Sequence, residues 1–141
     1  MEKYRILPHP ADGKFRAFGA TLEEAFVNAA LATASLMWDW LPIRSAASFP
    51  VRARGRDLEQ LLYQFLEEIL FLFETKNFLL ASVEDMKIEK DESGFRLQAV
   101  FRGDDAKNSV DIFGVVKAIT YNEMKIEQNC GGWSIQVVVD M

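Results

Sequence analysis

The stretch from Asp57 to Asn77 constrains the fold most, because it carries the longest helical periodicity of apolar residues in the chain. Eight apolar residues recur there at three- and four-residue spacing: Leu58, Leu61, Leu62, Phe65, Leu66, Ile69, Leu72 and Phe73. The spacing predicts a helix with one broad apolar face, which must be buried against another layer. Asp57 is placed to cap its first turn. Leu70 and Phe71 indicate burial of the C-terminal half on more than one side.

A second helix is predicted from Leu22 to about Met37. It opens with Thr21 and Glu24 in a capping box, in which each side chain can serve a main-chain N–H of the first turn. Pro42 lies just beyond and prevents much extension. The apolar residues that form its stripe are Leu22, Ala25, Phe26, Ala29, Ala30, Leu36 and Met37.

Segments of alternating polarity surround both helices and predict strands. The turn Asn129–Gly132 and the turn 91–94 can each adopt positive φ, and each predicts a hairpin. The resulting order, β-β-α-β-α-β-β-β-β, predicts an α+β fold with two amphipathic helices on a mixed or antiparallel sheet. The predicted strands are one before His9, without assigned bounds, and those over 15–19, 49–53, 83–90, 95–102, 116–127 and 133–139.

Length and composition fit one domain over residues 1–141. The chain has a net charge of −5, one histidine and one cysteine, so it can form no internal disulfide. No secretory signal or membrane span is expected, since charges and prolines interrupt the N-terminus and the most apolar stretch carries Gln64, Glu67 and Glu68. We therefore expect a cytoplasmic protein that does not engage membranes.

The charge pattern also bears on partners. Basic residues are scattered singly apart from Arg52, Arg54 and Arg56. Stable direct nucleic-acid binding is therefore not expected, and a protein partner or a cation fits better. With only His9 and Cys130, the chain cannot build a Cys/His zinc cage, and a Cys–His dyad would require these two residues to meet in space.

Asp140 and Met141 are the first candidates for chemistry. Asp140 ends an apolar strand, and the terminal carboxylate would lie within one residue of its side chain. Such oxygen ligands suit a hard cation if another carboxylate, for example Asp12, approaches in space. The alternatives are a solvated acid at the chain end and, for His9 and Asp12, a surface loop with an Asx-type turn.

Lys117 is the next candidate, because it interrupts an apolar run. It either extends along a strand edge with its charge in water, or points into a polar site where it neutralises a carboxylate or phosphate. Asp104 and Asp105 occupy a turn, where solvation is the default expectation.

Taken in order, these segments resemble the archease family from end to end. Its motifs match His9–Asp12 followed by Ala17–Gly19, and the helix start Thr21–Phe26. The most specific matches are the Val-Lys-Ala-x-Thr-Tyr strand at Val116–Tyr121 and the closing Trp to Val-Val-Asp at Trp133–Asp140. Further matches are Asn28–Ala30, Leu36–Met37, Leu61–Leu70 and Gly103–Asp104.

The resemblance implies an accessory protein, not an enzyme. Archeases activate RtcB-type tRNA-splicing RNA ligases by promoting guanylylation and multiple turnover. Their metal site, described as calcium-binding, carries over to Asp12, Asp140 and Met141, with Mg²⁺ or Mn²⁺ as other possible ions. His9 and Lys117 would support it. The chain departs from the family pattern at Pro10, where threonine is usual, and at Asn122, where histidine is frequent.

Two other functions stay open at this stage. One is a small metal-dependent phosphohydrolase that uses Asp12 and Asp140 for the cation and Lys117 against phosphate, with His9 as the ordinary acid or base. The other is a general chaperone or interaction module. An exposed segment containing Trp38 and Trp40 could anchor a partner, although a core position for these aromatic residues is the simpler interpretation.

Overall fold

Eight strands and two helices follow one another within residues 2–9, 12–108 and 111–141, the parts of the chain that the computed structural model describes. The order confirms the predicted α+β class, with one strand more than expected. The strands are β1 Tyr4–Leu7, β2 Asp12–Gly19, β3 Ala47–Gly55, β4 Phe78–Asp91, β5 Gly94–Asp105, β6 Ala118–Ile119, β7 Lys125–Asn129 and β8 Gly132–Asp140. The helices are α1 Leu22–Ser35 and α2 Leu58–Lys76.

The strands form two antiparallel sheets. One has the order β1-β2-β8, and both β6 and β7 pair with the free side of β8, at different ends of it. The other has the order β3-β5-β4. Both predicted hairpins are confirmed: β4 turns into β5 and β7 turns into β8. Gly94 and Gly132 each adopt a positive φ there, of 134° and 123°, which an L side chain rarely tolerates.

Both helix starts are capped as predicted. The Thr21 hydroxyl accepts the Glu24 N–H at 3.1 Å, while the Glu24 carboxylate accepts the Ala20 N–H at 3.1 Å. The Asp57 carboxylate accepts the Gln60 N–H at 2.8 Å. Neither of the two helices in the described ranges is long and apolar enough to cross a membrane.

The core lies between the sheets and the helices. Trp38 is fully buried, and its indole N–H donates to the Leu80 carbonyl at 3.0 Å. Trp40 is half-buried and donates to the Tyr4 hydroxyl at 2.9 Å. The suggestion of an exposed tryptophan anchor is therefore wrong for Trp38, because the turn after α1 directs its ring into the core.

Two expectations about the helices are corrected by the structure. α1 ends at Ser35 and not at Met37, because the N–H groups of Met37 and Trp38 both donate to the Ala34 carbonyl and close a turn. In α2, Leu70 is buried but Phe71 is 57 % exposed. The C-terminal half of α2 is therefore covered on one side only.

The long strand predicted over 116–127 is wrong. It divides into β6 and β7, separated by a turn at Asn122 and Glu123. Glu123 adopts the left-handed conformation with φ 55°, and the Asn122 N–H donates to the Thr120 hydroxyl at 3.2 Å. Apolar residues stand on both sides of this turn, at Tyr121 and Met124, so the sequence pattern gave no clear break there.

Candidate functional site

Asp12 and Asp140 lie directly opposite each other where β2 and β8 pair. Asp12 begins its strand and Asp140 ends the other, so the antiparallel register brings residues from opposite ends of the sequence together. Side chains opposed in this way share one face of the sheet, with Cβ atoms about 5 Å apart. The register thus places side by side the two residues whose approach the sequence could only suppose, and Asp12 is the first residue of β2.

The alternation along β2 fixes which face carries the acids. Gly13, Phe15 and Ala17 are buried, whereas Asp12 and Arg16 lie on the opposite, solvent-facing side. Shifting the register by one residue would turn all of these side chains over. The buried apolar residues of β2 thus hold Asp12 on the outer face.

His9 lies between two carboxylates. Its Nε2 is 3.1 Å from Glu123 Oε2, and its Nδ1 is 3.6 Å from Asp12 Oδ2. A carboxylate oxygen can only accept a hydrogen bond, so His9 Nε2 is the donor to Glu123 Oε2. Nδ1 is then buried without a hydrogen-bond partner among the described residues.

Lys14 and Glu123 belong to the same group of side chains and were missed from the sequence. The Lys14 ammonium donates to Glu123 Oε1 at 3.0 Å. Hydrogen bonding from Lys14, and then from His9, holds the pKa of Glu123 below its ordinary value. Lys14 could have been found, since it lies two residues after Asp12 in an alternating strand. Glu123 carried no signal, because its position depends on the left-handed turn.

Glu123 is also tied to the sheet through its main chain. The Gln136 amide donates to the Glu123 carbonyl at 2.9 Å, and the Gln136 amide oxygen accepts from Arg16 at 2.8 Å. Gln136 is buried. The turn that carries Glu123 is thereby held against the middle of β8.

Met141 follows Asp140 and packs across the base of the site. A Cβ placed on Gly13 would lie 3.0 Å from Met141 Sδ, and one placed on Gly114 would lie 3.2 Å from Met141 Cε. The Met141 side chain therefore occupies the space that these two glycines leave. This contact fixes where the main chain of Met141 runs relative to the two acids.

Lys117 reaches the acids through its main chain. Its N–H donates to the Asp140 carbonyl at 2.7 Å. Its side chain is exposed and lines a recess with Glu67, Glu68 and Glu74 of α2. No ion pair joins Lys117 to Asp12 or Asp140 in the described part of the chain. Five site residues were predicted from the sequence. The structure brings together four of them: Asp12, Asp140, Met141 and His9. The fifth, Lys117, contacts Asp140 only through its main-chain N–H.

The default expectation of solvation is wrong for Asp104, which is 8 % exposed. Its carboxylate accepts the Asp105 N–H at 2.8 Å and the Asn108 amide at 3.0 Å. These two bonds, with Arg44 nearby, lower the pKa of Asp104. The residue closes the end of β5 and lies apart from the acid pair.

The donor set at Asp12 and Asp140 suits a hard cation. Two carboxylates on one face, with main-chain oxygen at Met141 beside them, are the ligands that Ca²⁺ and Mg²⁺ prefer. Among residues 2–9, 12–108 and 111–141, no group of three or more His, Cys, Asp or Glu side chains is arranged to hold a metal. A cation here would need further ligands from water or from a partner.

Comparison with protein-family models adds independent information. The model described as the Archease protein family (MTH1598/TM1083) matches residues 4–141. Among curated proteins, the archease of Pyrobaculum neutrophilum is 39% identical over 98% of this chain and 95% of its own length. The archease of Methanosarcina mazei is 36% identical over 99% of this chain and 97% of its own.

Solved structures show the same fold. Protein 1598 of Methanobacterium thermoautotrophicum matches with a TM-score of 0.85 and 30% identity, over 100% of both chains. A Thermotoga maritima protein, described as an archease and possible chaperone, matches with a TM-score of 0.62 and 17% identity over 96% of this chain and 94% of its own. The second likeness concerns the fold alone.

Proposed function

The chain belongs to the archease family, and from that membership together with the paired acids we propose that it activates an RtcB-type RNA ligase. The proposed activation promotes guanylylation of the ligase and its multiple turnover, in the cytoplasm, with the ligase as protein partner. The chain itself acts as an accessory factor and not as a catalyst. The observation that carries the proposal is the register that sets Asp12 opposite Asp140.

In the proposed site, Asp12, Asp140 and a main-chain oxygen of Met141 hold a divalent cation, with Ca²⁺ favoured and Mg²⁺ or Mn²⁺ as alternatives. When bound, the cation supplies positive charge that can engage phosphate oxygens. Too few protein ligands are present to fill the six to eight positions that Ca²⁺ takes, as a rough guide. The remaining positions are where the ligase or its nucleotide would contribute oxygen ligands.

His9, Lys14 and Glu123 brace this site. Lys14 and His9 both bind the Glu123 carboxylate, so the negative charge of Glu123 is engaged and does not add to that of the acids. His9 is thereby oriented with Nδ1 toward Asp12. Side chains held in this way position a neighbouring carboxylate without contacting the ion themselves.

The chain departs from the family pattern at Pro10 and at Asn122. Pro10 lies outside the described residues. Asn122 is exposed in the turn before Glu123, and its N–H binds the Thr120 hydroxyl. Its place in that turn leaves the acid pair intact.

The test is multiple-turnover joining of a cleaved RNA by an RtcB-type ligase of the same organism, with GTP and a divalent ion, with and without this protein. The native chain is expected to stimulate joining. Asp12→Asn and Asp140→Asn should each abolish stimulation and weaken Ca²⁺ binding, measured by calorimetry, by at least about 10-fold, because they remove direct ligands. Stimulation that survives both substitutions would contradict the metal-site mechanism.

Asp85→Asn is the matched control. Asp85 is exposed in β4 with φ 53°, a conformation that asparagine accepts as readily as aspartate. The substitution removes one negative charge without touching the acid pair. It should leave both stimulation and Ca²⁺ binding unchanged.

A second candidate function is a chaperone, which the description of the Thermotoga maritima relative also mentions. The observation in its favour is a set of exposed apolar side chains on one irregular segment beside Met141: Ile112, Phe113 and Val115 are 40%, 65% and 55% exposed. Suppressed aggregation of an unrelated client protein by this chain alone would favour this function over ligase activation.

A further inference from the structure

The sheet β3-β5-β4 carries a strongly basic outer face, which lies outside the acid site. Its exposed side chains form two rows across the three strands. The strand register places Arg52, Gln98 and Lys87 side by side in one row, and Arg54, Arg96 and Glu89 in the next. A shallow groove of about 200 Å³ runs between them. We call these six residues the basic face.

The positive charges of the basic face are only half compensated. Arg54 lies directly opposite Arg96, and like charges so opposed destabilise a strand pair. Arg96 forms an ion pair with Asp91 at 3.3 Å. Arg52, Arg54 and Lys87 form none within the described part of the chain. Four cations thus stand against Glu89 and the nearby Asp91.

Acidic residues lie both beside the basic face, at Glu84 and Asp85 of β4, and on the other side of this sheet. α2 packs on the other side of this sheet, where the rings of Phe65 and Phe101 are 5.5 Å apart. The outward side of α2 carries Glu67, Glu68 and Glu74. The net charge of −5 is therefore not spread evenly over the surface, and the local charge at the basic face is positive.

We propose that the basic face binds the phosphodiester backbone of RNA. Three of its four cations are arginines, whose planar guanidinium groups bind phosphate oxygens in pairs. Neighbouring strands are about 4.8 Å apart and alternate residues about 7 Å, so the cations form a flat array that a strand of phosphates can follow. The groove has no aromatic side chain in its lining, so binding is independent of base sequence.

A polyanion fits this face better than a protein does. The centre of a protein interface is depleted in charged residues and enriched in aromatic ones. The basic face has charged or amide side chains at all six positions, and only the buried Ala53 and Leu97 otherwise line the groove. The choice of RNA over DNA, which offers the same phosphodiester chemistry, rests on the proposed function.

The probe is a fluorescein-labelled oligouridylate of about 20 nucleotides, with binding followed by anisotropy on the chain alone, without ligase. Four phosphate contacts on a single strand predict a slope of about −2.8 in a plot of log affinity against log salt. Raising the salt from about 50 to about 200 mM should weaken binding about 50-fold. Arg52→Gln with Arg54→Gln should lower the slope to about −1.4 and the affinity at low salt by about 10-fold or more.

Lys76→Gln with Lys107→Gln is the matched control. Both lysines are exposed, at the end of the sheet away from the 91–94 turn. Either double substitution changes the net charge from −5 to −5 − 2 = −7. The control should retain the affinity and the salt slope of the native chain. Neither double variant should lower the unfolding midpoint appreciably, since all four side chains are solvent-facing.

Three results would overturn the proposal: no binding at low salt, equal weakening in both double variants, or binding to phosphatidylserine vesicles but not to the oligouridylate. Similar binding of a single-stranded DNA of equal length would support backbone recognition. The outcome is separable from the proposed ligase activation. Asp140→Asn should lose stimulation and keep RNA binding, whereas the two arginine substitutions test RNA binding without any ligase.

Discussion

Gly13 should not accept a side chain, because it lies beneath the acid pair against three close-packed groups. An ideal Cβ at this position would lie 2.9 Å from Val139 Cγ2, 3.0 Å from Leu36 Cδ1 and 3.0 Å from Met141 Sδ. Favourable carbon contacts are about 3.5–4.0 Å, so each is about 0.5–1 Å too short. Val139 is β-branched and stiff, and so Leu36 and Met141 must move.

The expected cost of Gly13→Ala follows from these contacts. Overpacking of this kind destabilises by about 1–3 kcal/mol, and the reduced entropy of the unfolded chain offsets about 0.4–1 kcal/mol. The free energy of unfolding should therefore fall by about 1–2 kcal/mol, measured by urea denaturation at neutral pH. Because Met141 shifts, the Ca²⁺ affinity of the proposed site should fall as well.

Gly131→Ala is the control for Gly13→Ala. A Cβ at Gly131 would meet only Asn129 Oδ1, at 3.4 Å. Its effect on stability should stay within about 0.5 kcal/mol. If Gly13→Ala proved as stable as Gly131→Ala, the packing of Met141 under the acid pair would be refuted.

Two further substitutions test the core and the pH dependence. Trp38→Phe leaves the buried Leu80 carbonyl without the indole donor, which costs about 1–3 kcal/mol in addition to the lost packing. Urea unfolding should therefore show a larger loss of stability for Trp38→Phe than for Trp40→Phe, because Trp40 is only half-buried. Equal losses of stability would contradict this reasoning. Asp104→Asn tests a lowered carboxyl pKa. The stability that this carboxylate contributes is present above its ordinary unfolded pKa and is lost as the pH falls through the lowered folded value. The variant should therefore be destabilised at neutral pH and match the native chain in strong acid. A stability difference between Asp104→Asn and the native chain that does not change with pH would contradict the lowered pKa of Asp104.

Local patterns were enough to predict both helices and both hairpins. Thr21 and Asp57 cap their helices through bonds to residues three positions away, and Gly94 and Gly132 lie within the turns they permit. Such interactions join neighbours in the chain, so a single sequence contains all the information they need. The family model and the curated relatives confirmed the resemblance to the archease family. That resemblance also rests on local patterns, since its motifs are short and follow one another in order along the chain.

The fold class, the capped helices, the hairpins and the candidate acids could therefore all be predicted from the order of residues along the chain. Three pairings could not: Asp12 with Asp140, Glu123 with His9, and Arg54 with Arg96. Each of these pairings is set by strand register or by a left-handed turn between residues far apart in sequence. Register depends on which faces are buried across the whole sheet, and no local window contains that information.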